Sequence, residues 1–181
     1  MYIEPKPITL KDGRSGLLRV PEAKDAQAML EYLHATAAET HFLLREPEDI
    51  HDTLESEISL LNRMRESESQ LILCAFVEGE LAGNCMLALK TRSKVRHRAD
   101  LAIALLQKYW GQGIGSIMFA ELEAVARLHG VSQLELDFIE GNTRGQALYE
   151  KMGFHITGQK PNAFRLKDGT LLKEFSMVKE L

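Results

Sequence analysis

The order of apolar and amphipathic segments predicts an α/β domain with a parallel pair of strands at its centre. An apolar strand at residues 99–106 runs through a glycine-rich loop into an amphipathic helix at 114–129, which leads to a second apolar strand at 133–139. A crossover of this length, with a helix inside it, is the connection that parallel neighbours require. Two nearly continuous apolar runs, 71–77 and 81–89, flank Glu78 and Gly79 and read as a central hairpin. At 181 residues, 45% hydrophobic and 27% charged, the chain can bury a full core and reads as one domain over residues 1–181.

The remaining elements follow in order. Residues 16–20 read as a short first strand, and Pro21 opens a helix in which Ala26, Met29, Leu30, Leu33 and Ala37 keep helical spacing. A polar and aromatic bend at 40–47 joins it to a second helix over 48–65, whose inner stripe is Ile50, Leu54, Ile58 and Leu61. The helix at 114–129 presents Ile117, Met118, Leu122, Val125 and Leu128 on one face and is capped by Gly130. A short helix at 142–152 follows the strand at 133–139, and strands around 154–159 and 171–178 close the chain. There are no internal repeats.

Charge and composition exclude several classes. The net charge is −4, the basic residues form no long block and aromatic content is 7%, so a nucleic-acid surface is not expected. No apolar run approaches the roughly 20 residues that span a bilayer, and the N-terminus lacks the apolar stretch of a signal peptide. No membrane partner is expected, and the cytoplasm is the expected location. The two cysteines, Cys74 and Cys85, fall on the two strands of the central hairpin. In a simple hairpin register Cys74 opposes Gly83 and Cys85 opposes Ile72, which leaves the thiols diagonal at roughly 7–8 Å. That is too far for a disulfide.

The stretch Lys108, Tyr109, Trp110, Gly111, Gln112, Gly113, Ile114, Gly115, Ser116 carries most of the functional information. Glycines reach positive φ without steric cost, so successive amide N–H groups can converge on an anion at the positive end of the following helix. A nucleotide-bearing cofactor is the expected ligand. A phosphate loop of the NTPase type needs Lys and then Ser or Thr directly after its last glycine, which this chain lacks. A dinucleotide fingerprint needs glycine at position 116, where the chain has Ser116, although Asp137 ends a strand at a suggestive distance. A plain strand-to-helix turn is the simplest alternative.

The downstream residues separate these readings. Asn142, Thr143, Arg144, Gly145, Gln146, Ala147, Leu148, Tyr149, Glu150, Lys151, Met152, Gly153 and Phe154 follow the strand at 133–139. Loop and helix together resemble the GNAT N-acetyltransferase superfamily. Its pyrophosphate loop reads Arg or Gln, two residues, Gly, any residue, Gly or Ala, and is followed by an Asn, a Tyr and a Gly-Phe pair. The resemblance is close over residues 99–154 and weaker over nearly the whole chain. Two departures stand out: Trp110 replaces the Arg or Gln at the head of the loop, and Gly145 is a weak helix former inside a short helix, at a cost of about 1 kcal/mol relative to Ala.

The resemblance implies a mixed central sheet with splayed parallel strands flanked by helices, with acetyl-coenzyme A (acetyl-CoA) running between those strands. Ile103 and Leu105 would pair with the pantetheine amides, and Gln112, Gly113, Ile114, Gly115 and Ser116 would hold the pyrophosphate. Asn142 would hydrogen-bond the cofactor arm, and Ala147 would line the channel. No metal is called for. Acyl transfer to an amine needs a base to deprotonate the ammonium, a donor for the oxyanion and an acid for the leaving thiolate. A backbone N–H near Leu105 would be the donor, and Tyr149 would be the acid. Asp100 is the first candidate for the base, with His97, His41 or a water chain to a distant carboxylate as alternatives. Nothing places either cysteine beside the cofactor, so direct transfer is expected rather than an acyl-cysteine.

The acceptor is expected to meet residues 39–46 and 160–166, the two least regular segments. Three readings stand. The acceptor is a small-molecule amine, or it is a protein or peptide terminus of the ribosomal-protein type, or the chain is a non-catalytic acyl-CoA sensor. Bulky side chains closing these segments over the cleft would favour a small acceptor, and an open groove a peptide. A homodimer through the closing strands is compatible with the alternation of Leu171, Lys173, Phe175 and Met177, which a half-buried strand explains equally.

Overall fold

The computed structural model describes all 181 residues. In chain order its elements are β1 (Lys6–Thr9), β2 (Ser15–Arg19), α1 (Ala26–Glu39), α2 (Leu54–Glu66), β3 (Gln70–Val77), β4 (Glu80–Leu89), β5 (Arg98–Leu105), α3 (Ile114–Leu128), β6 (Gln133–Ile139), α4 (Thr143–Lys151), β7 (His155–Arg165) and β8 (Leu171–Glu180). All eight strands lie in one sheet in the order β1-β2-β3-β4-β5-β6-β8-β7. Every pairing is antiparallel except that of β5 with β6. The mixed sheet with a parallel central pair is therefore present, with α1 and α2 on one face and α3 and α4 on the other.

The parallel pair is short. β5 and β6 are in register only at Arg98–Gln133, Ala99–Leu134 and Asp100–Glu135, and beyond Asp100 they part. This splay opens the cleft described below.

Four local readings are corrected. The second helix begins at Leu54 rather than 48, because Pro47 starts a separate 3₁₀ turn and Thr53 forms a capping box with Ser56. Leu54 therefore faces solvent, while Glu57 is buried with 2% exposure. Leu128 lies outside the buried stripe of α3 at 86% exposure, whereas Met118, Phe119 and Leu122 fill the core. Residues 160–166 belong mostly to β7, whose register shifts between Lys160 and Phe164 around Pro161 and Asn162, the latter at φ 52°. A proline without N–H and a left-handed residue read as a loop in sequence, yet both fit a bulge on an edge strand. β1 escaped notice for a related reason, since Pro7 stands inside it on the opposite edge.

The fourth correction concerns the cysteines. The turn at Glu78 and Gly79 has positive φ at both residues, as a tight hairpin requires. Phe76 pairs with Leu81 but Ala75 pairs with Gly83, so Ala82 is an extra residue and the ladder shifts by one. Cys74 consequently opposes Asn84, and Cys85 opposes Leu73. Alternation then sends the thiols to opposite faces of the sheet. Both are free and buried.

One side chain secures β4 against β5 near this bulge. The Tyr32 hydroxyl of α1 donates to Ala104 O at 2.7 Å and accepts from Asn84 N at 3.2 Å, and Asn84 and Ala104 are register partners. Burial pushes the phenol well above its usual range, which keeps the donated proton in place. Removing the hydroxyl while keeping the ring strands two backbone groups in the interior. Tyr32→Phe is expected to lower the unfolding free energy by about 1–3 kcal/mol in urea titration.

Candidate active site

The splay between β5 and β6 holds a cleft of about 900 Å³. Leu106 N bonds Ala82 O on β4, and alternation along the strand turns the backbone of Ile103 and Leu105 the opposite way, toward the gap. Both residues line the cleft, beyond the last register pair with β6. Their peptide groups form an open strand edge inside the molecule.

The glycine loop closes one end. Gly111 and Gly113 take φ of 77° and 90°, and Gly113 is the N-cap of α3, whose first turn leaves the N–H groups of Ile114, Gly115 and Ser116 without partners inside the helix. Gly113, Ile114, Gly115 and Ser116 all line the cleft. Gln112 does not. Its carbonyl accepts from Lys11 N at 3.2 Å and its side chain accepts from Asp12 N at 3.2 Å, so it ties the loop to the β1–β2 turn. The side chains of Lys11, Arg144 and Lys151 line this same end, and Lys151 Nζ donates to Ser116 Oγ at 3.1 Å. Three cations thus gather at the helix N-terminus of a chain with net charge −4.

Both departures from the family pattern have a structural reason. The Trp110 indole N–H donates to Leu105 O at 2.9 Å, and its ring carries the Arg144 guanidinium 5.1 Å from its centroid. A positive charge is thereby supplied to the loop from α4, although the loop head itself is uncharged. Gly145 makes room for Asn142. Asn142 caps α4 by accepting from Gly145 N at 2.9 Å, and a Cβ at Gly145 would meet the Asn142 side chain at 2.7 Å. The cap occupies Oδ1, which leaves the amide Nδ2 as a donor at the cleft wall.

Ala147 and Tyr149 both line the cleft, Ala147 at the exposed rim and Tyr149 within. Tyr149 has 7% exposure, and its ring packs against Phe119 and Phe138 at centroid distances of 5.7 and 6.0 Å. Burial alone pushes its hydroxyl up to about 12. The group therefore stays protonated at neutral pH.

Asp100 is not brought to the cleft. Its carboxylate is ion-paired with Lys90, at the end of β5 where the parallel ladder is still closed. His97 and His41 are exposed and do not line the cleft either. The carboxylates that do are Asp137 and Glu174, neither of which is in an ion pair with the protein. Asp137 pairs with Ser176 and Ile139 with Glu174, so the two acids share the sheet face opposite Phe138 and stand diagonally across β6 and β8. Alternation was the available signal for Asp137, which is polar between the buried Leu136 and Phe138. Nothing local marked Glu174.

Residues 40–46 and β7 close over this end. Phe42, Leu43 and Leu44 line the cleft from one side and Phe164 from the other. Lys167, beyond β7, reaches Glu46 at 3.3 Å and Glu48 at 3.0 Å and so ties the β7–β8 turn to the loop before α2.

Known proteins share this fold. The model of the Acetyltransferase (GNAT) family matches residues 30–154, which include the splayed strands, the glycine loop and the Tyr149 helix. The chain is 26% identical over 113 residues, 61% of its length, to the L-amino acid N-acetyltransferase AaaT of Escherichia coli (strain K12), of which the match covers 67%. A GNAT-family acetyltransferase from Streptococcus pneumoniae superposes with a TM-score of 0.85 at 30% identity, over 92% of this chain and 99% of that one. Salmonella typhimurium yncA, solved with acetyl-CoA, superposes with a TM-score of 0.78 at 17% identity, over 92% and 94% of the two chains, which shows the shared fold. A family match over residues 30–154, which include the glycine loop and most of the cleft, places this chain in the GNAT acetyltransferase family.

Proposed function

We propose that the protein, acting as one catalytic unit over its 181 residues, transfers the acetyl group of acetyl-CoA directly to the primary amine of a small molecule. The observation that carries this reading is the polarity of a single cleft, with amide N–H groups and three cations at one end and two unpaired carboxylates under an apolar cover at the other. The residues fit the donor. Acetyl-CoA supplies an acyl thioester. Ile114, Gly115 and Ser116 offer N–H groups to its phosphates, and Lys11, Arg144 and Lys151 balance their charge. Ile103 keeps N–H and C=O free for the pantetheine amides, while Leu105 keeps only its N–H because Trp110 takes its carbonyl. Asn142 Nδ2 is a further donor beside the arm.

The chemistry then divides among three groups. Asp137 takes the proton that an arriving ammonium must lose before it can attack. Leu105 N–H faces the negative charge that develops on the thioester oxygen. Tyr149 donates the proton that the leaving thiolate needs; burial keeps that proton in place at neutral pH, although it also makes the phenol a weaker acid. Cys74 and Cys85 stay out of the reaction, since neither lines the cleft and burial pushes both thiols well above their usual range. Direct transfer follows.

The covering side chains Phe42, Leu43, Leu44 and Phe164 favour a small acceptor over a long peptide. Leu44, at 81% exposure on the rim, is the one feature that favours a peptide terminus as the second reading. Coenzyme A release measured across small amines and N-terminal alanine peptides decides between them. Turnover of small amines upholds the proposal, turnover confined to peptides supports the second reading, and donor binding without turnover supports a sensor.

Three variants report on the assigned roles. Tyr149→Phe is expected to lower kcat by roughly 10² or more with the KM for acetyl-CoA unchanged, and an unchanged kcat removes the acid assignment. In wild type the alkaline limb due to this group should lie near pH 12 rather than 10, because the protonated form is the active one and burial raises its pKa. Asp137→Asn is expected to cost about 10²–10⁴ in kcat/KM with the KM for acetyl-CoA unchanged. Arg144→Ala should raise the KM for acetyl-CoA about tenfold at nearly constant kcat, as expected for loss of one charge-assisted contact made equally throughout the reaction.

A further inference from the structure

The charges along the cleft also select among amines. Its lining cations are Lys11, Arg144 and Lys151, and all three belong to the glycine-loop end. Arg144 is stacked on Trp110 and Lys151 is bonded to Ser116, while the Lys11 side chain lies alongside Gly113. At the acceptor end the lining charges are Asp137 and Glu174 alone. Three cations on the surrounding segments are held, Arg45 by Asp52 at 3.0 Å, Lys167 by Glu46 and Glu48, and Lys173 by Glu140 at 3.6 Å, and Arg165 of β7 is unpaired but does not line the cleft. Lys160, opposite Glu174 on β7, is in no ion pair and does not line the cleft.

A free amino acid carries its carboxylate next to the amine. With the amine at Asp137, that carboxylate would enter a pocket holding a second anion, Glu174, and no cation to receive it. Like charges brought together in this way cost several kcal/mol, a discrimination of about a hundredfold or more. The cover of Phe42, Leu43, Leu44 and Phe164 offers apolar contact instead.

We propose that the acceptor is a primary amine on an apolar or aromatic body with no carboxylate beside the amine, selected by the Asp137–Glu174 pair and the Phe42–Phe164 cover. This inference rests on the small-molecule acetyltransfer reading above. It also separates this chain from its relative that is named for L-amino acids.

The test uses matched acceptors that differ only in the carboxylate: phenylalanine, phenylalaninamide and phenethylamine, each followed by coenzyme A release with the intact protein. The amide and phenethylamine are expected to exceed phenylalanine in kcat/KM by about 10²-fold. In Glu174→Gln that gap should narrow by about tenfold, with the KM for acetyl-CoA unchanged. Calorimetric titration of phenethylamine and phenylalanine into the protein saturated with coenzyme A gives a readout independent of turnover, and the same order of affinity is expected. Phenylalanine turned over as well as its amide would overturn this inference alone and leave acetyltransfer intact. No turnover of any small amine, with acetyl-CoA still bound, would overturn both.

Discussion

The structure is organised around a hydrogen-bond ladder that stops. β5 and β6 share three register pairs and then separate, although the strands on either side remain fully paired. Each strand has a strong partner on its outer edge, so the gap does not unravel the sheet. Backbone groups in such a gap are obliged to find partners, and leaving one buried and unsatisfied costs about 1–3 kcal/mol. An open edge inside an otherwise closed sheet is therefore a binding surface for an extended, amide-bearing chain, by the same physics that adds a peptide strand to a sheet edge. The rest of the site is arranged along this gap.

Its shape is held by polar contacts that are few and specific. Tyr32 bridges Asn84 and Ala104 on the closed side, while Trp110 draws the glycine loop to Leu105. Gln112 fastens the far side of that loop to the β1–β2 turn. Asn142 caps α4 and so sets the direction of the helix that carries both Arg144 and Tyr149. The acceptor end is held differently. Lys167 joins Glu46 and Glu48 through exposed ion pairs, which contribute little and exchange readily with solvent. The glycine-loop end is thus tied by backbone-directed hydrogen bonds and the opposite end by exposed ion pairs, a difference that suits the proposed division into donor and acceptor sites.

Electrostatics repeats the division. The cations collect where phosphates would lie, and the two unpaired acids stand at the opposite end, so the separation of charge runs along the cleft and not around the surface. An acidic chain can in this way hold a polyanionic cosubstrate, because local charge and helix N–H groups set the binding potential, not net charge. In the proposed reaction the same polarity would attract an ammonium to the end where it must lose its proton.

The strand–loop–helix–strand–helix core is legible from the amino-acid order alone, because those signals are local. Strand 133–139 and the start of α3 at Ile114 follow from apolar periodicity, and the cradle follows from the glycines after Trp110. Ile103, Leu105, Gly113, Ile114, Gly115, Ser116, Asn142, Ala147 and Tyr149, all singled out from the sequence, do line the cleft, whereas Gln112 does not. Tertiary structure decided what depends on register and on distant partners. One bulged residue, Ala82, moved Cys74 and Cys85 to opposite faces, and Pro161 and Asn162 hid half of β7. Asp100 was drawn to Lys90 and away from the cleft. Asp137 and Glu174, 37 positions apart, became neighbours only through the β6–β8 pairing. Periodicity reports which face a side chain takes along its own strand, but which strand lies beside it is settled only when the sheet closes.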